Sequence, residues 1–344
     1  MSIIDKTPKN QSGDPVQSSK LGKKAREPER FALIGVWAVL IIFFALVIPD
    51  TFPTLANLSN MLGSQAVLLI LALGLIIPLR AGDYDLSIGS VLAMSAVTVA
   101  ALNVNHGWPV WAAAIVAICA GVLVGLFNGF IVTKFDINPF IVTLGMGTVI
   151  VGISYMISNT RTITGVDPAL SEAVLAKPFL GIPVDFYYAT LLCVVVWYLF
   201  EYTAFGQRLL FIGQNKDVAR LNGVPVSRSR LLGLTCSATI ASLAGVVYVG
   251  TTGSADTTSG AGFLLPAFAA AFLGSTTIRI GRFNPWGTFI AVYFLVTGIT
   301  GLQLMGFPQY VQYLFYGGAL VIAVVLSKIV AARSERKRIA MQAV

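Results

Sequence analysis

The chain has 344 residues, 56% of them hydrophobic and 11% charged, with a mean hydropathy of +0.81 and a formal net charge of +8. A soluble domain carries about 25% charged residues, and 15 acidic with 23 basic side chains cannot cover a chain this long in water. The balance excludes a soluble enzyme, a disordered chain and a secreted disulfide scaffold. It leaves an all-α polytopic membrane protein, because runs of about 20 apolar residues match the bilayer core. A barrel would alternate in ~10-residue segments, whereas these runs are continuous.

Residues 1–30 are polar and cannot bury a core, so they read as a cytoplasmic tail. They are too long and too charged to start a signal peptide, and no A-x-A-like cleavage site follows the first apolar run. About ten spans follow, at 31–49, 60–79, 86–104, 109–132, 140–158, 186–201, 231–250, 263–278, 286–304 and 310–330, making 31–330 the membrane domain. Residues 331–344 form a basic C-terminal tail. With both termini inside, 21 of the 23 basic residues fall on cytoplasmic segments, and only Arg161 and Lys177 fall outside. Reversal inverts this bias, so the charge reports topology. It gives no sign of a nucleic-acid partner.

Asn138-Pro139 and Asn284-Pro285 each open a span, Asn as cap and Pro in the first turn. Gly121, Gly125 and Gly129 in the fourth span form a double G-x-x-x-G, and Ser237, Ala241 and Gly245 repeat the spacing in the seventh; both predict close helix packing. The largest extramembrane segments, 159–185 outside and 202–230 inside, are too small for an enzymatic domain.

Catalytic apparatus is missing. There is no G-x-x-x-x-G-K-[ST] loop, no H-E-x-x-H and no G-x-S-x-G, and the single histidine, His106, reads as a loop residue. Cys119, Cys193 and Cys236 lie in apolar runs without metal-ligand spacing and are expected to be free thiols. No metal, cofactor or enzymatic activity is expected. Uphill transport would need an ion gradient or a separate ATPase.

In the 202–230 loop, Asn215 reads as an N-cap, Asp217 favours the first turn, and Gly223 stops a helix before Pro225. A helix of about two turns results, with Val218 and Leu221 on one face. So short a helix is marginal in water and is expected to dock, either on this chain's own helix ends or in a groove of a partner. Asp83 and Asp85 stand two apart at the start of the third span and do not share a face. Asp85 can cap that span, and the alternative for both is a direct role in a path or gate. The absence of any accompanying cleft chemistry excludes a glycosidase pair. Gln65, Ser90, Ser95, Asn128, Thr143, Ser154 and Gln303 are polar positions within spans. Each suits either an interhelical hydrogen bond or a sparse polar lining, and Asn128, three after Gly125, leans towards packing.

Several ordered motifs resemble the membrane permeases of bacterial ABC sugar importers of the ribose type. Gly213-Gln-Asn215 through Ala219-Arg220-Leu221-Asn222-Gly223-Val224 is similar to their coupling loop. Gly82-Asp83-Tyr84-Asp85-Leu86-Ser87-Ile88-Gly89-Ser90 is similar to their G-G-I-D-L-S-V-G-S signature, with Asp83 and Tyr84 standing for Gly and Ile. Asn138-Pro139-Phe140-Ile141-Val142-Thr143-Leu144-Gly145 resembles N-P-F-I-x-T-L. The pattern continues through Ser242-Leu-Ala244-Gly245 and Phe272-Leu273-Gly274-Ser275-Thr276, although the family's glycine-rich turn here reads Arg279-Ile-Gly281-Arg282-Phe-Asn284-Pro.

The resemblance covers about residues 30–330. It implies a homodimeric permease in the bacterial inner membrane that receives a small carbohydrate or polyol from a periplasmic sugar-binding protein and is driven by a cytoplasmic ATPase subunit. It also implies that Asn215, Asp217, Ala219, Arg220 and Gly223 couple to that ATPase, with Asp83, Asp85, Ser87, Ser90, Asn128 and Thr143 as candidate path residues. The alternatives are a branched-chain amino-acid ABC permease and an ion-coupled secondary transporter. The latter usually carries mid-span charges, whereas here nearly every charge falls at a span boundary. An integral-membrane enzyme would need a His, Asp or Glu cluster, which the sequence lacks.

Overall fold

A computed structural model describes residues 28–325, so most of the polar N-terminal tail, the end of the tenth expected span and the basic C-terminal tail lie outside the described residues. The helices are α1 Ala32–Val47, α2 Leu55–Ser64, α3 Ala66–Arg80, α4 Ile88–Ala100, α5 Val110–Lys134, α6 Pro139–Ser158, α7 Pro168–Leu175, α8 Val184–Tyr202, α9 Ala204–Gln214, α10 Lys216–Leu221, α11 Val226–Thr252, α12 Ala261–Gly274, α13 Pro285–Leu304 and α14 Tyr310–Val325. A π-turn, Ala101–Asn105, extends α4. Among the described residues the all-α expectation holds but for a two-residue ribbon, in which β1 Ile163–Thr164 pairs antiparallel with β2 Ser254–Ala255.

Among the described residues, seven helical segments are long and apolar enough to cross a membrane: α2 with α3, α4 with its π-turn, α5, α6, α8, α11 and α13. The other three expected spans appear as shorter apolar helices, α1, α12 and α14. The eighth span, expected at 263–278, ends at Gly274. At 14 residues and ~1.5 Å per residue it is about 21 Å long, short of a ~30 Å core. The 202–230 segment holds more helix than expected, since α9 fills its first half and α11 begins five residues before position 231.

The innermost helix is α3. All 15 of its residues are buried, which is why its sequence is apolar on every face. Around it pack α11, α12, α13 and α8, and α4 and α5 close on α11. The glycine rows set these approaches. A Cβ on Gly125 would sit 2.6 Å from Thr235 Cα, and one on Gly129 would sit 2.8 Å from Leu231 Cα, so α5 and α11 meet backbone to backbone. Gly245 carries α11 against Leu92 and Ser95 of α4 in the same way. On the outer faces of α5, α6 and α8, large apolar side chains such as Leu123, Ile141 and Leu191 are exposed, as a lipid-facing surface requires.

The two ends differ in chemistry. One end gathers Arg80, Glu201, Lys216, Arg230, Arg279 and Asp136 into ion pairs and close contacts, and the Arg30 carbonyl there accepts from Thr277 and Ile278. The opposite end is closed by neutral contacts: the β ribbon, Ser158 with Thr257, and Asn103 accepting from the Asp167 amide.

Candidate functional site

Both expected Asn-Pro caps form. Asn138 accepts from the Phe140 amide at 3.0 Å and Asn284 from the Gly287 amide at 2.7 Å. Asp167-Pro168 opens α7 with the same chemistry, the carboxylate accepting from the Ala169 amide, a start signal as local as the two Asn-Pro pairs.

The short helix of the 202–230 segment is α10. Asn215 caps it by accepting from the Asp217 and Val218 amides, both at 3.0 Å. It closes in a Schellman motif, with Val224 N–H donating to Ala219 O and Gly223 N–H to Arg220 O, which requires the positive φ of +75° at Gly223. Ala219 is buried and seats the helix on the protein. Asp217 and Arg220 are exposed, as are Val218 at 43% and Leu221 at 87%. Val218 and Leu221 thus form a small apolar face on the exposed side of α10.

Between α3 and α4 the chain leaves helical structure over 81–87, the segment holding both acidic candidates. They point apart. Asp83 is clamped by Arg230 at the start of α11, with Nε at 3.1 and 2.9 Å from the two carboxylate oxygens and Nη2 at 2.7 Å from Oδ1. This is a buried, bidentate pair. Arg230 Nη1 lies 3.7 Å from Asp136 of the α5–α6 turn, and Asp136 in turn takes Lys216, the first residue of α10. The Lys216 ammonium, by hydrogen bond and charge, holds the Asp136 carboxyl below the ordinary carboxylate range. A line of charges thus runs from the broken segment to α10. Its members are separated by up to 147 positions, and nothing in the sequence pointed to Arg230, Asp136 or Lys216.

Asp85 is wholly buried and faces the interior instead. Its Oδ1 accepts from the Ser87 amide at 3.0 Å and from Ser87 Oγ at 2.6 Å. The expected cap does not form: Ser87 is itself the N-cap of α4, and no side chain bonds the amides of the first turn. Asn128 Nδ2 donates to Ser87 Oγ at 3.1 Å, the interhelical bond its position near Gly125 suggested. Thr143 ties the same segment to α6, accepting from the Leu86 amide at 3.0 Å and donating to Tyr84 O at 3.1 Å. Ser90 sits beside Gly147 of α6. Asn128 Oδ1 is buried without a hydrogen-bond partner among the described residues, and Ser237 stands against the buried Asp85 carboxylate, so polar groups concentrate here inside an apolar bundle. Of the other polar span residues, Ser95 bonds Ser242 O across helices and Ser154 bonds back to Ile150 O. The three cysteines are free, and no group of three His, Cys, Asp or Glu able to hold a metal occurs among the described residues.

A family model for the permease component of branched-chain amino acid transport systems matches residues 57–324. The ribose import permease of Bacillus subtilis (strain 168) is 32% identical over 291 residues, 84% of this chain and 90% of that protein. The galactose/methyl galactoside import permease of Salmonella typhimurium is 30% identical over 88% of this chain and 95% of its own length. The L-arabinose transport permease of Escherichia coli (strain K12) is 28% identical over 92% and 95%. No solved structure matches the chain. The match across most of the membrane domain, with the motifs folded as described, shows that this chain belongs to the ABC-importer permease family, in its ribose-type sugar branch.

Proposed function

We propose that this protein is the transmembrane subunit of an ATP-binding-cassette importer for a monosaccharide or related polyol. It crosses a bacterial inner membrane ten times with both termini cytoplasmic. It pairs with a second copy around the translocation path, receives solute from a periplasmic sugar-binding protein, and leaves ATP hydrolysis to a separate cytoplasmic chain. Three shorter helices, α1, α12 and α14, supplement the seven long ones to make ten. The charged end collects Arg80, Arg230 and Arg279, which supports assigning it to the cytoplasm. Named relatives import ribose, galactose and arabinose, which supports a sugar over an amino acid. The buried polar groups around Asp85, Ser87, Asn128 and Thr143 are the proposed lining, since a neutral polyhydroxylated solute needs hydrogen-bonding partners rather than charge.

The observation that carries the reading is α10: a capped helix whose Val218 and Leu221 face outward while Lys216 enters the line of charges leading to Asp83. In this role Asn215, Ala219 and Gly223 shape and seat the helix, and Asp217 and Arg220 meet the ATPase beside the two apolar side chains. Val218→Glu with Leu221→Glu should abolish co-purification of the co-expressed ATPase subunit and reduce sugar uptake at least tenfold, with membrane insertion unchanged. Retention of the ATPase by that variant would sink the docking role. Uptake by the chain alone in vesicles under a proton or sodium gradient would sink the importer reading.

A further inference from the structure

A cleft of about 450 Å³ opens at the charged end, between the broken segment, the α5–α6 turn and α10. That size falls within the ~300–1,000 Å³ of small-molecule sites. Its chemistry comes from Asp83, Tyr84, Asp136, Asn138, Lys216 and Arg230.

Three features point to one class of ligand. The first is charge balance. Asp83 and Asp136 offset Arg230 and Lys216, and these four are already engaged with one another. The cleft therefore has no net charge with which to draw in an anion or a cation.

The second is hydrogen-bonding capacity. The Asp136 side chain is 67% exposed, and only its Oδ1 is engaged. Asn138 uses Oδ1 to cap α6, and its Nδ2 has no partner among the described residues. A carboxylate acceptor and an amide donor on neighbouring planar groups suit vicinal hydroxyls, each of which both donates and accepts.

The third is Tyr84. Its backbone is pinned by Thr143, and its ring lies in offset stacks with Phe268 and Phe272 at 6.4 and 6.5 Å, yet it remains 41% exposed. An aromatic surface held rigid by two further rings suits the C–H face of a pyranose or furanose. Tyr84 also stands where the family signature carries Ile, so the ring belongs to this chain rather than to the signature.

We infer that this cleft is an exit-side binding site for the imported monosaccharide, with the Tyr84 ring as its platform and Asp136 and Asn138 as its hydroxyl partners. The inference rests on the proposed permease reading, which puts the charged end in the cytoplasm. Because Lys216 both borders the cleft and begins α10, sugar in the site bears directly on the element proposed to meet the ATPase.

The test uses the purified full-length chain in nanodiscs, without partners, and saturation-transfer difference NMR with millimolar D-ribose, D-allose, D-galactose and L-arabinose as probes. At least one sugar should receive saturation from the wild-type chain. The signal should fall at least threefold in Tyr84→Ile, which restores the family residue, and in Asp136→Asn. It should persist in Tyr84→Phe, which keeps the ring. No signal from any of the four, an undiminished signal in Tyr84→Ile, or loss in Tyr84→Phe as well would overturn the site. A parallel assay in proteoliposomes with ATPase and binding protein separates the two proposals. Uptake without cleft binding overturns the exit site alone, whereas no ATP-dependent uptake of any sugar overturns the permease reading.

Discussion

Asp83 and Asp85 show how two carboxylates two positions apart come to different ends. In a regular strand, residues two apart would share a face, but 81–87 is an irregular segment that opens on a turn with Gly82 at φ +84°. One carboxylate meets Arg230 at the charged end and the other enters the bundle towards Ser87 and Asn128. Truncating one member of a buried ion pair leaves the other charge uncompensated, at a cost of about 3–5 kcal/mol. Asp83→Ala or Arg230→Ala should each lower the melting temperature in detergent markedly, while the double variant should recover part of the loss. A double variant no more stable than either single one would show that the pair is not the cause. The sequence marked both aspartates as special but could not divide their roles, because the division depends on an arginine 147 positions away.

The elements follow local rules where these are strong. Asn-Pro starts, the α10 cap and the Schellman close at Gly223 were all readable, because each involves residues within a few positions of one another. Helix α9 was not, since its 11 residues mix charge and apolarity within a segment read as loop. The early stop of α12 coincides with the polar run Ser275-Thr276-Thr277 after Gly274, where the chain folds into the turns that hold Asn284, whose Nδ2 donates to Gly274 O and Thr277 O. The glycine row on α5 forms the packing face that its spacing predicts. Gly125→Leu would force a side chain into Thr235 and Leu234 of α11, where backbone atoms cannot move aside. It should abolish a monodisperse peak in size-exclusion chromatography, whereas Gly145→Ala, with nothing within 4 Å, should leave the peak unchanged.

At the scale of the whole molecule, the proposed orientation predicts opposite labelling of the two ends. In intact cells a membrane-impermeant maleimide should label Thr162→Cys, in the segment beside the β ribbon, and should reach Asn222→Cys only after permeabilisation. The reverse pattern would invert the topology and remove α10 from the cytoplasm. Membrane class, the positions of the apolar helices and the clustering of basic residues at their ends were legible from sequence, because hydropathy and charge are properties each segment carries by itself. The tertiary structure decided that α3 is the buried centre, that Asp83 belongs to Arg230 while Asp85 belongs to Ser87, and that Tyr84, Asp136 and Lys216 border one cleft. These are relations between segments far apart in the chain. They are set by which backbones can approach closely and which buried charges must find partners, and no local pattern carries that information.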